Sequence, residues 1–244
     1  MHEDFDILND ESDEELYKLV KKSVNQKMKD MYVGYIDING MQYLMRTKKD
    51  DEFERLCNNI ATMVDSILEE NKSYAKAINK TIEFHMFSDN MIFLCEDLQF
   101  LIDRMGLIQR RLAVQLQLTI KGGIDYGSVY YYRNRFILGK GLVSAYKIDA
   151  EYHNPAININ RKLVSKGLKR ILRVGFDEYV VDYYRIAQEL SEDFWIEEVE
   201  YIKKLIIDNI SEATSEDVLH KYMWLKEYHN YICKKEKREE FMVK

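Results

Sequence analysis

The sequence predicts an α+β fold: a mostly antiparallel sheet covered on one face by helices, with helical extensions at both ends. Three observations predict it. Short runs rich in β-branched and aromatic residues alternate with longer runs whose apolar residues recur at a three-to-four spacing. These runs follow the order β-α-β-β-α-β-β-α-β-α, which closes most economically as two packed layers. One proline (Pro155) and ten glycines leave little room for long flexible linkers.

Taken in order, residues 1–26 are acidic and then helical in pattern, with Leu16, Leu19 and Val20 set among Glu and Lys and with Ser12 as N-cap. Residues 31–38 form a first strand. Residues 50–70 carry Phe53, Leu56, Ile60, Met63, Val64, Ile67 and Leu68 on one helical face. Residues 81–87 and 90–96 read as a hairpin turning at Ser88-Asp89-Asn90, where Asn and Asp tolerate a tight backbone. A long helix follows over 97–117, then a second strand pair, 118–126 and 128–138, broken at Gly127. Residues 139–153 form a helix, 156–159 a short strand and 161–172 another helix. From Asp177 onward the chain is helical, ending in a helix around His220–Asn230. The expected division is an N-terminal extension over 1–27, a central domain over 28–175 and a C-terminal helical extension over 176–244.

Composition narrows the functions. A chain of 244 residues can bury an independent core. Its net charge of −6 argues against a protein built to hold duplex nucleic acid, which normally carries a basic face. A small phosphorylated substrate is compatible with it, because such a site needs only local cations. Three unclustered cysteines, Cys57, Cys95 and Cys233, read as reduced thiols, not as a disulfide framework or zinc site. No run approaches the length of a membrane span, and the acidic N-terminus lacks a signal-peptide pattern. A cytoplasmic location is expected.

Two strand-like runs each carry one aspartate: Tyr32-Val33-Gly34-Tyr35-Ile36-Asp37-Ile38 and Phe87-Ser88-Asp89-Asn90-Met91-Ile92-Phe93-Leu94. A carboxylate in an apolar strand must be neutralised, paired or bound to a cation. Either residue alone has a plainer reading: Asp37 as a strand-end cap, Asp89 as turn chemistry. Together they fit a carboxylate pair gripping divalent metal for nucleotide chemistry.

The element order and four motifs resemble the class III nucleotidyl cyclase domain over roughly residues 28–160. Ile36-Asp37-Ile38-Asn39-Gly40 resembles the first metal motif of that family, and Phe87-Ser88-Asp89 its second, with Ser88 where Gly is usual. Gly122-Gly123-Ile124-Asp125-Tyr126-Gly127 matches a glycine-bounded strand, and Gly139 through Lys147 a helix-opening motif. The resemblance implies a ferredoxin-like palm sandwich and cyclisation of a nucleoside triphosphate. It implies two Mg²⁺ or Mn²⁺ ions held by Asp37, Asp89 and the backbone carbonyl of Ile38. The Asn39–Gln42 turn would face the β- and γ-phosphates. A head-to-tail homodimer would share each site between protomers.

Departures from the family pattern sharpen the expectation. Val143 stands where the ribose-steadying Asn is usual, and Lys147 where the transition-state Arg is usual, with Arg135, Arg133 or Lys140 as substitutes. The two purine-reading positions hold His85 and Phe136. Both metal aspartates with neither purine reader is similar to the bacterial Pycsar pyrimidine cyclases, which make cyclic UMP or cyclic CMP in antiphage defence. UTP is then the expected substrate ahead of CTP, with Tyr43, His85, Phe136 and Val143 shaping the substrate pocket. A separate cyclic-nucleotide-responsive effector is the expected partner. Two alternatives stand beside this: a purine (adenylate or guanylate) cyclase, and a non-catalytic nucleotide-binding regulator of the same fold. On plainer readings His85 and Phe136 are packing residues and Lys147 is a solvated charge.

Overall fold

A computed structural model describes residues 28–77, 80–132 and 136–244, with residues 70–77, 132 and 136 described by backbone alone. The expected helix over 1–26, with Ser12, lies outside the described residues. The chain is α+β, as expected. Strand β1 (Lys29–Ile38) leads through a short helix, α1 (Met41–Thr47), to the long α2 (Asp50–Ala77). The hairpin β2 (Ile82–Phe87) and β3 (Asn90–Cys95) precedes α3 (Leu98–Leu116) and β4 (Ile120–Tyr132). The sheet order β2-β3-β1-β4, antiparallel at every junction, is the split β-α-β topology.

One face of this sheet carries the main core. Alternation places Ile36 and Ile38 on it, against Ile60, Met63, Val64 and Ile67 of α2 and Leu101, Met105 and Ile108 of α3. These α2 positions are the apolar stripe expected from the sequence. Asp97 caps α3 by accepting from the Phe100 N–H at 2.7 Å.

Helix α4 (Lys140–Glu151) packs on the opposite face, so helices cover both sides of the sheet and not one. Its buried residues are Gly141, Ala145 and Asp149, a stripe at four-residue spacing. Small residues let backbone meet backbone here. A Cβ on Gly123 would lie 2.2 Å from the Ala145 carbonyl oxygen, and one on Gly127 would lie 2.9 Å from the Gly141 nitrogen. Gly127 therefore serves close packing and does not break the strand: β4 runs unbroken from Ile120 to Tyr132 and then pairs with β5 (Phe136–Leu138).

Beyond α4 the sheet continues. Strand β6 (Ile157–Ile159) runs parallel to β4, and the hairpin β7 (Ile171–Arg173) and β8 (Tyr179–Val181) extends the sheet past β6. The expected helix over 161–172 is thus a single 3₁₀ turn (Arg161–Leu163) followed by β7, and the segment after Asp177 begins with β8 before turning helical. The sheet accordingly passes residue 175. Helices α5 (Tyr183–Gln188), α6 (Glu192–Ser211) and α7 (Glu216–Lys235) then form a second core around Trp195, Ile202, Leu225 and Ile232. A buried ion pair ties this layer to α3: Arg110 Nε donates to Glu198 Oε2 at 2.7 Å, and Arg110 Nη2 to Oε1. Cys57, Cys95 and Cys233 are free thiols, and no described helix is long and apolar enough to cross a membrane.

Candidate active site

Asp37 of β1 and Asp89 of the β2–β3 turn lie at the same end of the sheet. Strand register sets Asp37 opposite Asn90 of β3 on one side and Lys121 of β4 on the other. The two-residue turn Ser88-Asp89 is held back on β1 by the Ile38 N–H donating to the Asp89 carbonyl at 3.1 Å. Ser88 adopts φ 57°, the left-handed conformation that glycine takes at least cost. The turn therefore retains a backbone demand for glycine while carrying serine. Asn90 Nδ2 donates to Asp89 Oδ1 at 3.2 Å, and the Tyr35 hydroxyl donates to Asn90 Oδ1.

Alternation along β1 explains why Asp37 can face this site while its neighbours stay in the core. Ile36 and Ile38 are almost fully buried on the helix-covered face, so Asp37 and Tyr35 point to the other. Ile38 can contribute only its backbone. Asp37 is paired: Lys121 Nζ lies 3.1 Å from Asp37 Oδ2 and 2.5 Å from Asp149 Oδ2. Asp149 is 2% exposed, and its Oδ1 is buried with no hydrogen-bond partner among the described residues.

The electrostatics follow from this crowding. Burial raises the Asp149 carboxyl pKa, and the ion pair with Lys121 only partly opposes it. Burial works against the Lys121 ammonium, but its bonds to Asp149 and Asp37 outweigh that and its pKa rises. Burial, with Asp149 and Asp37 nearby, pushes the Tyr35 hydroxyl well up. Among the described residues, the Lys121 ammonium lies between the Asp37 and Asp149 carboxylates.

As donors, Asp37 and Asp89 fit a hard divalent cation. Both offer oxygen: Asp37 sits near the end of β1 and Asp89 in the adjoining β2–β3 turn. No cluster of three or more His, Cys, Asp or Glu groups at metal-binding spacing occurs among the described residues. Two carboxylates suit an ion that completes its shell with water and substrate phosphate. Gly40, at φ 78°, starts α1, whose first hydrogen bond runs from the Leu44 N–H to the Gly40 carbonyl. The backbone N–H groups of Met41 and Gln42 stand in the unbonded first turn.

No family model matches the chain, and no curated protein matches it. Solved structures do align with it. The adenylyl cyclase CyaB from P. aeruginosa is 18% identical at a TM-score of 0.42, covering 63% of this chain and 92% of that one. The guanylyl cyclase Cya2 is 12% identical at 0.41, over 64% of this chain and 90% of that one. A bacterial light-regulated adenylyl cyclase is 12% identical at 0.44, over 73% and 99%. At these identities and TM-scores the matches assign this chain neither a family nor a reaction.

The remaining expected site residues are dispersed. His85 faces Ile92 across the hairpin, its ring edge-on to Tyr131 at 5.4 Å, with Nε2 buried and lacking a partner among the described residues. Tyr43 (62% exposed) and Val143 (53%) face solvent, as does Lys147, so within one chain these three do not close over Asp37. Arg133 and Arg135 lie outside the described residues, and of Phe136 only the backbone, in β5, is described. Sequence reasoning missed Lys121, Asp149, Tyr35 and Asn90, and also Tyr131, whose hydroxyl donates to Glu83 Oε2 at 3.2 Å beside His85. A signal existed for two of them. Lys121 is a charge in an apolar strand, and Asp149 ends a Gly-Ala-Asp stripe on a buried helix face.

Proposed function

We propose that the chain is a divalent-metal-dependent nucleotide cyclase that converts UTP, and CTP less readily, to the 3′,5′-cyclic monophosphate and pyrophosphate. One observation carries the reading: the Ile38 N–H bonds the Asp89 carbonyl, which sets Asp37 of β1 and Asp89 of the β2–β3 turn side by side at one end of a split β-α-β sheet. Asp37 and Asp89 would hold the metal, with the Ile38 carbonyl as a further donor. Mg²⁺ or Mn²⁺ held there would supply Lewis acidity toward the ribose 3′-hydroxyl and charge neutralisation for the α-phosphate and departing pyrophosphate. The 3′-oxygen bonds to the α-phosphorus as the bridge to the β-phosphate breaks. The Met41 and Gln42 N–H groups orient the β- and γ-phosphates.

Solvent-facing Lys147, with Arg135 in support, serves the site of a partner protomer in a head-to-tail homodimer. The exposed Val143 and Tyr146 of α4 and Leu138 of β5 support an interface there. His85, Tyr43, Phe136 and Val143 shape the substrate pocket, and Tyr131 and Glu83 extend the polar surface at His85. A small base in a pocket lined this way favours a pyrimidine. The biological setting we propose is cytoplasmic antiphage signalling of the Pycsar kind, with the cyclic product acting on a separate effector protein.

Incubating purified protein with each of the four ribonucleoside triphosphates and Mn²⁺, with products read by mass spectrometry, tests this. Cyclic UMP should dominate. Faster turnover of ATP or GTP would favour a purine cyclase. Absence of every cyclic product would favour the non-catalytic reading, which the ion pair already formed on Asp37 supports; Asp37→Ala would then leave the biological effect intact.

A further inference from the structure

We propose that Lys121 is a resident counter-cation of the metal carboxylates, bridging Asp37 and Asp149 without metal and left to Asp149 alone when metal takes Asp37. In this way it sets how much divalent metal the site requires. The inference rests on the metal reading above and adds a residue that neither the motifs nor the expected ligand set contains.

Four observations support it. Lys121 Nζ contacts both carboxylates at once, 3.1 Å from Asp37 and 2.5 Å from Asp149. The two anchors differ: the Asp37 side chain is 25% exposed, whereas that of Asp149 is 2% exposed, so Asp149 cannot be neutralised by water or bulk ions. Asp149 Oδ1 has no partner among the described residues, so an acceptor is available for an ammonium proton released from Asp37. Asp149 is also held rigidly, because α4 lies backbone-to-backbone on β4 through Gly123 and Ala145.

A divalent ion on Asp37 and an ammonium on the same oxygen repel each other, so the two occupy Asp37 in competition. Lys121 can withdraw without leaving a buried anion unpaired, since Asp149 keeps it. The ammonium also spares the metal-free site the repulsion of its closely set carboxylates. Lys121 is a positioning residue and touches no reacting atom.

The competition predicts effects of opposite sign. In Asp149→Asn the ammonium loses its alternative anchor and stays on Asp37, so Mn²⁺ binding should weaken about tenfold. In the double variant Lys121→Met/Asp149→Asn the competitor is gone and no buried charge is left unpaired, so Mn²⁺ binding should tighten about tenfold relative to wild type. Lys121→Arg should stay near wild type. Mn²⁺ titration followed by electron paramagnetic resonance, without nucleotide, reads all four proteins, and circular dichroism confirms that each is folded. A merely structural ion pair would weaken binding in both Asp149 variants, or in neither. Either pattern overturns the proposal, while binding that still depends on Asp37 keeps the metal reading. Mn²⁺ binding indifferent to Asp37→Asn in every form overturns both.

Discussion

Asp37, Asp89, Lys121 and Asp149 share one physical property: each is a charge that its immediate apolar neighbours cannot satisfy. The two aspartates were legible in the sequence because they interrupt short strands beside turn residues. Lys121 and Asp149 left only a faint signal there, because each becomes meaningful only when β4 and α4 pack and place the ammonium between two carboxylates. Ser88 shows a different kind of residue-scale information. Its left-handed φ of 57° is a conformation that costs a non-glycine residue about 1–2 kcal/mol. Ser88→Gly should therefore stabilise the fold by about 1 kcal/mol, after the greater freedom of glycine in the unfolded chain is set against the relief. A thermal melt checks it; an unchanged or lower Tm would mean that the turn does not strain serine.

At the scale of elements, long periodic segments were read well and short ones poorly. Helices α2 and α3 announce themselves through apolar stripes that become the core. Strands β7 and β8 are three residues each and have no period to detect; they exist because the β6 edge offers unpaired backbone. Gly127 misled for a related reason, since glycine marks either a break or a close approach and only the α4 contact tells which. That contact is testable through Gly123. A methyl group there would collide with the Ala145 carbonyl, so Gly123→Ala should cost about 1–3 kcal/mol, lower Tm by several degrees and loosen the Asp149–Lys121 pair. Urea denaturation with an unchanged midpoint would show that α4 packs less tightly than the geometry requires.

Across the whole molecule, the C-terminal helices form a second core coupled to the sheet, and its buried polar groups make stability depend on pH. His229 is fully buried, with Nδ1 at 2.8 Å from the Tyr184 hydroxyl and Nε2 at 3.0 Å from the Phe241 carbonyl. Burial lowers its pKa below the ordinary histidine value. Between the ordinary value and the lowered one, the unfolded chain binds a proton that the native chain does not, so stability falls as pH falls through that window. The loss is at most about 1.4 kcal/mol per pH unit. Burial also raises Asp182 and Glu198, which gives the opposite slope: stability present at low pH and lost as pH rises through their folded values. Those two groups persist in His229→Gln. Wild type should thus lose more stability than His229→Gln between pH 7.5 and 5.5, and equal losses would place the imidazole in a protonated native state.

The central claim is that Asp37 and Asp89 act as one metal-binding pair in cyclisation. Mn²⁺-dependent formation of cyclic UMP by Asp37→Asn, Asp89→Asn and the double variant, beside wild type, tests it most directly. Each single variant should lose about a thousandfold or more in turnover while keeping its fold, and the double variant should fall little further, since either loss disables the pair. A single variant that retains turnover within tenfold of wild type would contradict the account.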